Sequence, residues 1–260
     1  MLELQEYPRV VFERNPLKVV VTQVRFPPLF ALEQPAGVAQ FQEAIRSEYP
    51  VAESRGAQVT LAVGPGGVAV PPTQPGPWRF LNEDSSWVVA VAPDFVSLET
   101  TAYHRFEDFR ARVERLFNAA AESLRLTRRQ RLGLRYVNEI THPEAVRLSD
   151  WRKLLREELL GIAGGETLGD TVAQSAQQIQ LELEQGNVTI RHGYRREETA
   201  DSNSIYFLDL DAYDDEAGNF DIEQMLNNLT VYNKWIWNLF RGSITDELVE
   251  YLQPRSLEHE

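Results

Sequence analysis

The chain has 260 residues, 43% of them hydrophobic and 25% charged, the composition of a folded globular protein with room for one large domain or two ordinary ones. The absence of cysteine excludes disulfides, thiolate metal sites and cysteine nucleophiles, and a formal net charge of −13 opposes general attraction to a phosphate backbone. No apolar run approaches the ~20 residues that span a bilayer, and MLELQEYPRVVFERNP lacks a signal-peptide profile, so a cytoplasmic location without a membrane partner is expected.

Taken in chain order, residues 17–26 (LKVVVTQVRF) read as a valine-rich strand that Pro27 and Pro28 end. Residues 37–49 space Val38, Phe41, Ile45 and Tyr49 as one face of a helix, which Pro50 closes. A short strand at 58–63, a GPGG tip at 64–67 and a proline-stiffened PPTQPGP loop at 71–77 follow. Three strands are then expected at 78–81, 86–92 and 95–103. The helix at 105–124 carries Phe106, Phe109, Val113, Leu116, Phe117 and Ala120 on one face.

The pattern restarts after Thr127. Residues 129–140 (RQRLGLRYVNEI) alternate as a strand, with Leu132, Leu134, Tyr136, Asn138 and Ile140 on one face and Gly133, Arg135, Val137 and Glu139 on the other. Ser149 or Asp150 is placed to cap a helix over 151–160, and GIAGGETLGD is a glycine-rich connection. Strands at 177–184 and 187–194 form a hairpin turning at Gly186-Asn187, and the polar stretch RREETADSNS leads to a strand at 204–212. A long helix at about 221–240 and a short one at 245–252 end the chain. The tail RSLEHE, with His259, reads as a vector-derived scar.

Both passes run strand, helix, antiparallel strands, long helix. The corner VSLETTAYHRFEDF in the first has its counterpart in FLDLDAYDDEAGNFDI in the second. The expected fold is therefore α+β, with two pseudo-repeated units, 1–126 and 127–254, packed as one body. Curved antiparallel sheets would grip the helices in a helix-grip or TBP-like manner, because each sheet's apolar face needs a cover.

WRFLNED (78–84), LETTAYHRFEDF (98–109) and above all RLGLRYVNEI (131–140) resemble an uncharacterised, sporadically distributed prokaryotic family of about this length. Its members carry a Trp-Arg-Phe type strand followed by a Gly-Leu-Arg-Tyr-x-Asn strand. The resemblance covers most of the chain, but only Gly133 to Asn138 is specific. No activity is established for that family, so the resemblance implies no reaction and no catalytic residues. Its patchy occurrence is of the kind seen in defence-linked or mobile genes.

DLDAYDDEAGNFD (209–221) holds six carboxylates and a glycine but fails the calcium-loop pattern, since Tyr213, Asp214 and Phe220 stand where ligand, glycine and glutamate are required. The histidines lack zinc spacing, the glycine groups lack a phosphate-loop lysine, and no serine sits in a nucleophile elbow, so no metal, cofactor or catalytic residue is expected.

Charge is uneven. Nine arginines between Arg105 and Arg135 outnumber four acids, whereas residues 197–223 hold ten acids and no lysine or arginine. The two segments either neutralise each other or leave the arginines for an anionic partner. Arg128, Arg129, Arg131, Arg135, Tyr136 and Asn138 are the candidate anion or ligand contacts. Against that stands a structural pairing of Arg135 with Glu139 or with the Asp209/Asp211 pair, and Asn138 among apolar neighbours needs a hydrogen-bond partner. Trp235, Trp237 and Phe240 on the last long helix are candidate interface residues, or simply core.

The leading expectation is a non-enzymatic recognition protein that binds another protein or itself. The alternative is a nucleic-acid or nucleotide binder using Arg125 to Arg135, disfavoured by net charge. The third is an enzyme with its site in a helix-grip cleft.

Overall fold

A computed structural model describes residues 4–53, 57–58, 62–64, 67–69, 74–165, 167–196 and 204–256. The strand expected at 58–63, the GPGG tip, the PPTQPGP loop, the RREETADSNS stretch and the RSLEHE tail fall partly outside these residues.

The architecture is mixed α+β around a large sheet. Its nine strands are β1 (Leu17–Arg25), β2 (Val51–Glu53), β3 (Trp78–Leu81), β4 (Trp87–Ala92), β5 (Phe95–Thr100), β6 (Arg131–Thr141), β7 (Gln174–Leu183), β8 (Gly186–Arg195) and β9 (Ile205–Asp214). Hydrogen-bonded neighbours follow the order β7-β8-β9-β6-β1-β5-β4-β3-β2. Antiparallel pairing joins β7 to β8, β8 to β9, β2 to β3, β3 to β4 and β4 to β5. The helices are α1 (Pro35–Ile45), α2 (Phe106–Leu124), α3 (Glu157–Leu160), α4 (Ile222–Ser243) and α5 (Asp246–Leu252). The chain divides into two compact units: residues 1–20, 133–214 and 227–260, and residues 21–132 and 215–226.

In the second of these units the apolar periodicity governs the helices directly. Val38, Phe41 and Ile45 are buried on α1, which starts at Pro35, where a missing N–H costs nothing. All six expected face residues of α2 are buried. The helix ends at Arg125 in the left-handed conformation (φ 53°), with Leu126 N–H donating to Ala121 O. β4 is buried at every position, WVVAVA, and its Trp87 carries the Arg112 guanidinium 4.4 Å from its ring centroid.

In the other unit β6 alternates as its sequence does. Leu132, at the unit boundary, and Leu134, Tyr136, Asn138 and Ile140 are buried, while Arg135 and Glu139 are exposed. Leu229, Tyr232, Ile236 and Phe240 of α4 are buried at spacings of three and four, the helical period. Thr245 caps α5, its hydroxyl accepting from Leu248 N–H. A short strand at Val10–Phe12 pairs with Pro254–Ser256.

Two expected elements differ. Instead of one helix over 151–160, the chain forms a 3₁₀ turn at Leu148–Lys153, the four-residue α3 and a second 3₁₀ turn at Gly161–Gly164. Tertiary bonds claim the backbone between them: Arg156 N–H donates to Ser243 O, and Leu154 O accepts from Thr245 N–H. Trp151 is fully buried and its indole N–H donates to Ser204 Oγ, which fixes the first turn. The hairpin turn lies at 184–185, with Gly186 (φ 145°) already in β8. A side chain there would stand 2.5 Å from Tyr213 O on the neighbouring strand, so the glycine serves close strand approach as well as the turn.

Candidate functional site

The first charged constellation lies on the exposed face of the strands β8, β9 and β6. Cross-strand register sets Arg191 of β8 opposite Asp209 of β9. Asp209 is 5% exposed, and Arg135 of β6 binds it bidentately, Nε to Oδ1 at 2.7 Å and Nη2 to Oδ2 at 2.8 Å. Arg191 reaches Asp209 Oδ2 at 3.4 Å and Asp211 Oδ2 at 3.9 Å. Two arginines thus bracket a carboxylate that is otherwise withdrawn from water. This satisfies the requirement that a buried charge be paired.

The remaining arginines of the strip are placed residue by residue. Arg128 and Arg129 pair with Gly218 and Asn219 in a short antiparallel ladder, with Arg128 Nη1 donating to Asn219 Oδ1 at 2.9 Å. Arg129 is 4% exposed, which removes it from solvent. Arg131 lies 3.2 Å from Asp215. Upstream, Arg112 and Arg115 both bind Glu48, whose carboxyl the Arg115 guanidinium holds below its ordinary range, while Arg115 is raised in turn. Arginine strip and acidic segment therefore meet at Arg131–Asp215 and Arg135–Asp209.

Tyr136 and Asn138 lie on the opposite, buried face of β6 from Arg135, so the three do not line one surface. Asn138 Nδ2 donates to Leu208 O at 3.0 Å, which supplies the partner that its apolar surroundings demand. Tyr136 Oη donates to Asn233 Oδ1 at 3.3 Å.

On α4, Trp237 is half-buried. Its indole N–H donates to Tyr7 O at 3.1 Å, Arg9 stacks on its ring, and Phe12 packs against both Trp237 and Phe240. Phe240 is 6% exposed. Trp235 is half-buried beside Tyr232, ring centroids 5.4 Å apart. Trp237 and Phe240 are covered by an N-terminal strap, residues 7–12, whose role no local periodicity announces.

Two features escaped the sequence reading. The first is the edge strand β7, bonded to β8 along an unbroken register from Gln174↔Arg195 to Leu183↔Gly186. Among the described residues no strand pairs with its other edge. It has no proline, lysine, arginine or bulge, the usual guards of a sheet edge. Its glutamine-rich polar composition, QSAQQIQLEL, was the available signal. The second is a buried polar pair. His192 is fully buried with Nδ1 2.7 Å from Tyr206 Oη, and Tyr206 Oη also reaches Leu159 O at 3.3 Å. Burial holds the imidazole below its ordinary pKa and pushes the phenol up.

Among the described residues no group of three or more His, Asp or Glu side chains is gathered as a metal site, and no helix is long and apolar enough to cross a membrane. Compared with known proteins, the chain matches no family model and no curated protein.

Proposed function

We propose that the chain is a non-enzymatic recognition protein of the cytosol, binding another protein or itself. The observation that carries this reading is the open, unguarded ten-residue edge of β7. An edge of that length offers main-chain hydrogen bonds to an added strand, a recurring mode of protein recognition. Edge strands without guards are otherwise a hazard that folded proteins avoid, so an unblocked one is well explained by an intended partner.

The pseudo-duplicated, helix-grip reading of the fold belongs to the same proposal. It is supported by a shared connectivity. In β1–β5 the last strand, β5, neighbours the first, β1; in β6–β9 the last strand, β9, neighbours the first, β6. The resemblance of Gly133 to Asn138 to a sporadic prokaryotic family leads us to place the protein in a defence-linked or mobile-element setting.

The nucleic-acid alternative has less to rest on, because Arg131 and Arg135 are engaged by Asp215 and Asp209 and Arg129 is buried. The two readings separate in solution. Affinity capture with the tagged full chain, together with light scattering, should return a defined protein complex or oligomer. A strict monomer that retains no protein, yet binds RNA or nucleotides with a steep loss as salt rises, would replace the first reading by the second.

A further inference from the structure

The register of β7 fixes which of its backbone groups face outward. Arg196 N–H donates to Ala173 O, one step beyond the Gln174↔Arg195 pair. Hydrogen-bonded and non-bonded pairs alternate along an antiparallel ladder. Ser175, Gln177, Ile179, Leu181 and Leu183 therefore turn their backbone groups to β8. Gln174, Ala176, Gln178, Gln180 and Glu182 turn theirs to the open edge.

The side chains divide in the same way. The even-numbered residues share the face of Arg191 and Arg195, which stand opposite Gln178 and Gln174. The odd-numbered ones include Ile179, 42% exposed for a branched aliphatic residue on a strand. Gln177 marks what lies beside them, since its amide reaches Leu159 O and lies against Gly161. Ile162, the next residue in the chain, is 86% exposed.

Charge is segregated along this edge. Glu182 and Glu184 stand exposed at the hairpin end, and Arg195 stands exposed at the other; among the described residues none of the three has an ion-pair partner. A strand laid antiparallel on β7 with the same sequence brings the acidic end of each copy to the basic end of the other.

We propose that the occupant of this edge is a second copy of the chain, joined β7 to β7 antiparallel about Ile179. This rests on the recognition reading above and names its partner. In that register Ile179 meets its own mate in a non-hydrogen-bonded pair, where side chains approach most closely. Gln178 pairs with Gln180 and Ala176 with Glu182, both from the outward-facing set, so the main-chain groups match without a slip. No like charges face each other. Glu182 of one copy falls in the row of Ala176 and Gly193 of the other, between the rows of Arg191 and Arg195. On β7 that row carries only the Ala176 methyl group, over which the carboxylate can extend toward Arg195, while on β8 the Phe207 ring covers Gly193.

The test is sedimentation velocity and light scattering on the full chain over about 1 to 200 µM. The wild type should show a concentration-dependent dimer. Gln178→Pro removes an outward N–H without touching the β7–β8 ladder, a position where an edge strand tolerates proline. It should weaken the dimer about tenfold or more, since the two-fold axis doubles the loss. Glu182→Arg and Arg195→Glu should each weaken it, and the double variant should restore it; this arm stands even if the proline variant fails to fold.

A dimer indifferent to all of these substitutions overturns the proposal. A chain that stays monomeric but retains a different protein in affinity capture overturns it too, while leaving the recognition reading intact. A monomer that retains nothing overturns both.

Discussion

Asp209 shows how a carboxylate can be buried on a solvent-facing side of a sheet, because its two arginines stay half-exposed and deliver only their guanidinium tips. The contacts are unequal, bidentate and short from Arg135, single and long from Arg191. Replacing Arg135 with Met should cost about 2 kcal/mol in urea unfolding, because it strands most of a withdrawn charge. Replacing Arg191 with Met should cost about 0.5 kcal/mol or less, the worth of a screened contact. His192 gives a pH signature of a definite sign. Its pKa is lowered by burial in the folded protein, so between the folded value and about 6.5 the unfolded chain binds a proton that the folded chain refuses. Its contribution is therefore complete above pH 6.5 and is lost as pH falls below it, at up to about 1.4 kcal/mol per pH unit. His192→Gln should flatten this limb in denaturation curves recorded between pH 7 and 5. Equal slopes for wild type and variant would remove His192 as its source.

Elements were legible where their apolar period is local. The α2 face follows from spacings of three and four, and the inner face of β6 from strict alternation. The segment 148–164 was not legible, because its backbone groups are taken by residues 243–245, far away in sequence. Nor was the N-terminal strap, which is too short to show a period yet packs Phe12 against Trp237 and Phe240. Phe12→Ala should lower stability by about 3 kcal/mol, as loss of a buried aromatic does. The same variant should shift Trp fluorescence to the red as water reaches Trp237. An unshifted spectrum with unchanged stability would mean that the strap does not cover the helix in solution.

At the scale of the whole molecule, charge sets behaviour in solution. A net charge of −13 and a pI near 4.9 keep the chain dispersed at neutral pH. Light scattering against pH should show a solubility minimum close to pH 5, where self-repulsion vanishes. That aggregation must be separated from β7 pairing, which is specific and should persist at pH 7.

The sequence by itself determined the α+β class, the faces of the helices, the alternation of β6 and the failure of DLDAYDDEAGNFD as a calcium loop. Each of these depends on residues a few positions apart, where backbone geometry alone fixes what can share a face. It also offered Asp209 and Asp211 as possible partners for arginines without selecting which. Only the tertiary structure joined Arg135 to Asp209, 74 residues away, put Tyr136 and Asn138 to structural bonds on the other face, and left β7 at the edge of the sheet. Strand order decides these outcomes. The free energy that selects it is summed over the whole core and has no local signature in the chain.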